Sequence, residues 1–174
     1  MLVVSPLSED TDQEVRTESD DISNDVMLDV LKAVNARVKK LDRDHDVPYV
    51  ARYSQDGEKI YIDRHMPKSF HHHERRIDTD RFLILHEVIE KALLDELGLH
   101  YLHAHQIALR SERAAVEAAG VPWKAYNDYT QEHTKQIGDK RLKNVPNDLD
   151  LTPYRNEKDF QTLQRIIGAI HPRD

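Results

Sequence analysis

The segment FLILHEVIEKALLDE, Phe82 to Glu96, constrains the fold more than any other stretch of the 174 residues. Wound as a helix at about 100° per residue, it gathers Phe82, Leu85, Ile89, Ala92, Leu93 and Leu97 into one apolar arc, continued by Leu83 and Leu94. His86 and Glu90 fall inside that arc, and Glu87 falls at its border. Lys91, Asp95 and Glu96 fall elsewhere and can face water. An ionisable group on a core face must be paired, neutralised or bound to a metal, because burying it alone costs several kcal/mol. Two such groups four residues apart imply a shared partner.

The following segment repeats the pattern. A helix from about Tyr101 to Ala119 has an apolar stripe of Tyr101, Ala104, Ala108, Leu109, Ala115, Val116 and Ala119, with His105 and Glu112 inside it. Gly98 stops the first helix and the connection is short, so the two helices are expected to pack as antiparallel neighbours. Ala104 and Ala108 permit close approach beside His105. His86, Glu90 and His105 then make a His₂Glu set suited to zinc or a related divalent ion, with a position left for water. Glu112 is placed as a fourth ligand, or as the acceptor that fixes an imidazole tautomer. Glu87, just off the ligand face, is placed as general base toward water held by the metal. A hydrogen-bonded His–Glu network that only sets helix register is the alternative.

The H-E-x-x-E pattern of His86, Glu87 and Glu90 is one residue from the H-E-x-x-H helix, and it follows a strand candidate, GEKIYIDRH, and a loop. On these features the segment 59–112 resembles the zincin-type metallopeptidases. The resemblance implies that His86 is a ligand, that Glu87 is the base, and that Ile60 to Asp63 line a substrate cleft. It departs at Glu90, where the family carries its second histidine. The run HEVIEKALLDELGLHYLHAH is also similar to uncharacterised bacterial and prophage-associated proteins. The function expected is a metal-dependent hydrolase, peptidase-like, with zinc as cofactor and a protein or peptide as substrate. A non-catalytic structural or interaction protein built on the same network is the second expectation. A di-iron carboxylate protein ranks third, since no helix carries its paired Glu-x-x-His motif.

The remaining sequence supports one α+β, mainly helical domain with a small antiparallel hairpin or three-stranded sheet on the central helices. Residues 1–21, SEDTDQEVRTESDD among them, read as an acidic disordered arm, residues 22–138 as the folded domain, and 139–174 as an extended segment with a short terminal helix. Helical spacing starts at Ser23 and runs to about Leu41. VPYVARYS and KIYIDRH alternate around an Asp-Gly turn and predict a hairpin. Met66 to Arg76 reads as a loop, with His71, His72 and His73 facing solvent rather than serving as ligands. His65 is a weak candidate for a substrate contact. Pro122 opens a third helix ending near Ile137, on which Trp123, Tyr126 and Tyr129 are expected in the core. A net charge of −7 argues against nucleic acid as the main partner. The absence of cysteine excludes thiolate ligands. No signal peptide or membrane span is recognisable, so a cytoplasmic or virion-associated protein is expected, with the acidic arm or the C-terminal segment available to a protein partner.

Overall fold

The computed structural model describes residues 9–171, with side chains from Glu18 onward. The chain is α+β and mainly helical. Helix α1 (Glu9–Arg37) leads into strand β1 (Lys40–Asp42), followed by β2 (Ala51–Tyr53) and β3 (Lys59–Ile62). A hairpin of β4 (Ser69–His72) and β5 (Arg75–Asp78) precedes α2 (Asp80–Leu97) and α3 (Tyr101–Ala118). Helices α4 (Trp123–Gly138), α5 (Thr152–Asn156) and α6 (Phe160–Ile170) complete the described chain.

Helix α2 is the hub because it is buried on two sides. Leu83 and Ile84 join Tyr53, Ile60, Ile62 and Met66 in the core over the sheet. Phe82 and Leu85 join Leu31 of α1, Val116 of α3 and Tyr126 of α4 on the other side. A third cluster, Val47, Tyr61, Leu149, Tyr154 and Ile166, fastens the C-terminal segment to the far face of the sheet. Gly98 ends α2 in the left-handed conformation, its N–H reaching the Leu94 carbonyl at 3.1 Å. That turn sends α3 back along α2, which fits a Gly C-terminal stop.

The three-stranded sheet has the order β1-β3-β2, with β2 antiparallel and β1 parallel to β3. The expected hairpin is present, but the sheet is mixed rather than antiparallel, because the chain after α1 enters alongside β3 instead of folding back on it. Four further expectations need correction. The disordered arm is expected at 1–21. Residues 1–8 lie outside the described residues, but from Glu9 the backbone is helical, in a helix whose residues 18–26 are exposed all round. Such a polar helix is sustained by continuity with the packed turn around Leu31 rather than by its own apolar face. The loop at 66–76 contains β4 and the start of β5, which close around His73 at φ 53°. Lys91 is buried, not solvent-facing, because Asp150 meets its ammonium at 2.8 Å. The segment after 139 carries α5 as well as the expected terminal helix.

Candidate metal centre

The one-turn spacing of His86 and Glu90 on α2 aims both side chains at α3, and Ala104 and Ala108, both fully buried, let the two helices close around His105. His86 Nε2 lies 3.1 Å from Glu90 Oε2 and 3.1 Å from His105 Nδ1, and His105 Nδ1 lies 2.9 Å from Glu90 Oε2. Three potential ligand atoms thus form a nearly equilateral triangle. Ligands about 2.0–2.1 Å from one zinc ion stand about 2.9 Å apart at right angles and about 3.3 Å apart at tetrahedral angles. The triangle has the size of one face of such a shell. Hydrogen bonds match it less well: with both imidazoles donating to Glu90, two donors face each other across the third edge.

Two of the three corners are held from behind. His86 Nδ1 lies 2.7 Å from Glu112 Oε2, and Tyr126 donates to the other Glu112 oxygen at 2.7 Å. Glu112 is therefore the acceptor that directs the His86 lone pair on Nε2 into the triangle, and not one of its corners. Tyr53 donates to Glu90 Oε1 at 2.8 Å, leaving Oε2 free for the centre. The Tyr101 hydroxyl sits 3.4 Å from His105 Nδ1.

Glu87 is as deeply buried as His86, not at the border of the core. Its Oε1 lies 3.5 Å from Arg52 Nη1, while its Oε2 is buried without a hydrogen-bond partner. Arg52 is the functional residue that sequence reasoning missed. Its guanidinium donates to Tyr101 at 3.0 Å and lies 5.0–5.7 Å from the ring centres of Tyr49, Tyr101 and Tyr154. A usable signal existed: Arg52 is the one charge in the strand VPYVARYS, the same intrusion that singles out His86 in α2.

The electrostatics follow from burial in a crowd of carboxylates. Burial and the neighbouring Glu90 push Glu87 up to about 8, against the opposing pull of Arg52 and His86. Burial works against a charged His86, but Glu112 and Glu90 outweigh it and raise the imidazole to about 10. Glu90 is held well below the usual carboxylate range, because hydrogen bonds from His105 and His86 and the charge of Arg52 overcome its burial. Three carboxylates, Glu87, Glu90 and Glu112, share the cluster with one guanidinium, which leaves two negative charges with neutral imidazoles. A divalent cation balances them, and so do two protons.

A cleft of about 340 Å³ opens onto this cluster. One wall is Tyr49 to Arg52; the other is the face of α4 that carries Trp123, Asn127, Thr130, Gln131 and Thr134. The strand lining the cleft is accordingly β2 and its approach, not Ile60 to Asp63, since β3 is the central strand and its edges are both paired. Of the three aromatics expected in the core, Tyr126 is fully buried, and Trp123 and Tyr129 are partly buried against the same cluster, Trp123 also lining the cleft. Tyr49 and Val50 both adopt positive φ, 69° and 77°, a strained arrangement for bulky residues. Tyr154 donates to the Pro48 carbonyl at 2.9 Å and Tyr49 donates to Asp159, so the C-terminal segment holds this lip in place.

The other histidines do not reach the triangle. His71 and His72 lie in β4, paired with Arg76 and Arg75, and His100 caps α3 by accepting from Leu102 N–H. His65 belongs to a second cluster with Asp46 and Asp63. There the carboxylates are occupied: Asp46 accepts from Arg64 and from the N–H groups of Lys143 and Asn144, and Asp63 from those of Val47 and His65. That cluster fastens loops.

No protein-family model matches this chain, and neither a curated protein nor a solved structure does. None of the described helices is long and apolar enough to cross a membrane.

Proposed function

We propose that the protein is a metal-dependent hydrolase of peptidase type, with zinc held by His86, Glu90 and His105. The observation that supports this best is the triangle itself: two nitrogens and one oxygen, 2.9–3.1 Å apart, with His86 and Glu90 steadied from behind, beside an open cleft. Zinc in such a set polarises an amide carbonyl and makes water acidic enough to react near neutrality. Glu87 takes the proton of the attacking water on its unpartnered Oε2 and returns it to the leaving nitrogen, while Arg52 steadies Oε1. Glu112 keeps the His86 proton on Nδ1, so that Nε2 stays available as a ligand.

A second reading has one specific observation in its favour. Arg52 lies between Glu87 and Glu90, and with protons on His86 and Glu87 the cluster is neutral without metal. The protein is then a structural or interaction protein that uses the network to fix the α2–α3 register. The Glu87→Gln variant separates the two. In the hydrolase it retains one zinc per chain and loses cleavage of a quenched fluorescent peptide pool by 10²-fold or more, the range of a positioned general base. Cleavage at the wild-type rate in that variant removes Glu87 as the base.

A further inference from the structure

In β2 the carbonyl of Ala51 accepts from Arg52 Nη1 at 3.1 Å, and that of Tyr53 accepts from Asp150 N–H at 3.0 Å. Just beyond the strand, Gln55 N–H is taken by the Asp148 carbonyl at 2.8 Å. Both carbonyls of the edge are thus in use, and a substrate added there as a further strand finds few free partners. Across the cleft the opposite holds. Trp123, Asn127, Thr130, Gln131 and Thr134 recur at i, i+4, i+7, i+8 and i+11, one face of α4 that carries no charge. The charged residues of the helix project elsewhere, as in the exposed Lys124–Asp128 pair.

On this face the Thr130 and Thr134 hydroxyls are spent on the helix's own carbonyls, those of Asn127 and Thr130. The side-chain amides of Asn127 and Gln131 make no hydrogen bond to another described residue. Side chains at i and i+4 are spaced about 6 Å along a helix, and residues facing the same way in an extended peptide repeat at about 6.7 Å. Two amides, each with donor and acceptor, therefore match alternate peptide groups of one extended chain. The cleft lining has a single guanidinium, Arg52, already facing Glu87 and Glu90, so an acidic segment finds no free cation there.

We propose that the cleft takes an extended, non-acidic peptide segment whose main chain is held by the Asn127 and Gln131 amides of α4, with Trp123 against its side chains. This rests on the hydrolase reading for the role of the site, and it differs from it in what it commits to: the substrate is read by a helix, not by the sheet edge. Trp123 is the only tryptophan of the chain and reports on the cleft directly. The test titrates zinc-loaded Glu87→Gln protein with a blocked hexapeptide of Ala, Ser and Gly and follows Trp123 emission. A saturable change is expected, weakened at least tenfold in Asn127→Ala/Gln131→Ala and also in the isosteric Gln131→Glu, with zinc stoichiometry preserved. No saturable change, equal affinity in these variants, or tighter binding of an N-acetylglucosamine hexamer overturns the proposal. Binding without cleavage of the same peptide by the wild type overturns the hydrolase reading alone. Cleavage with an unchanged KM in Asn127→Ala/Gln131→Ala that retains Glu87 overturns the proposal and leaves the hydrolase reading standing.

Discussion

Single residues decide whether the α2–α3 cluster holds a metal or only protons. Glu112 is not a corner of the triangle, yet it sets which nitrogen of His86 carries the proton. Glu112→Gln keeps the size of the side chain but removes the charge that favours this tautomer. Zinc affinity measured by chelator competition is expected to fall about 10- to 100-fold, the usual effect of losing such a partner. Tyr126→Phe removes the hydroxyl behind Glu112 and is expected to lower zinc affinity by less than Glu112→Gln does. The positions of His86, Glu90, His105 and Glu112 were legible in the sequence, because a helical wheel shows a polar residue on an apolar stripe. Arg52 showed itself only as the one charge of an apolar strand, and nothing in that three-residue strand indicates that Arg52 and Tyr53 meet α2; Tyr101 reads as an ordinary member of the α3 apolar stripe.

At the scale of elements, what was legible follows element length. Helices α2, α3, α4 and α6 carry several turns of periodic apolar residues, and the first three have a Gly or Pro at an end. Strand β1 and the β4–β5 hairpin have three or four residues each, too few to establish alternation, and the His73 turn has no glycine to mark it. The burial of Lys91 was hidden for a different reason: its partner Asp150 is 59 residues away. That pair ties the C-terminal segment to α2. Without Asp150 the Lys91 ammonium keeps only the half-exposed Asp95, 3.1 Å away, so Asp150→Ala is expected to cost about 2 kcal/mol in denaturant unfolding, the range of a charged hydrogen bond. Lys91→Met/Asp150→Leu is expected to recover most of that loss. Burial raises the Asp150 carboxyl, but Lys91 and Thr152 outweigh it and hold it below its ordinary range. Its folded value lies below the unfolded one, about 3.9, so its contribution is complete above that pH and disappears as pH falls through the folded value. The fall in melting temperature from pH 5 to pH 3 is expected to be shallower in Asp150→Asn than in the wild type.

The whole molecule is organised around α2, with the sheet and C-terminal segment on one side and α1, α3 and α4 on the other. Because the triangle bridges α2 and α3, a metal that binds only the folded chain stabilises the entire domain through linkage. Zinc at 100 times its dissociation constant is expected to add about 2.7 kcal/mol, read as a rise in melting temperature that a chelator reverses. The His86→Ala chain is expected to show no such rise. The central claim is the occupancy and geometry of that one centre, and X-ray absorption on the purified protein, with elemental analysis of the same sample, tests it most directly. One zinc per chain is expected, with nitrogen and oxygen ligands at about 2.0–2.1 Å, two imidazoles among them, and its loss in His86→Ala. Protein without stoichiometric metal, and unable to take it up when zinc is supplied, contradicts the metal centre and leaves a hydrogen-bonded cluster in its place.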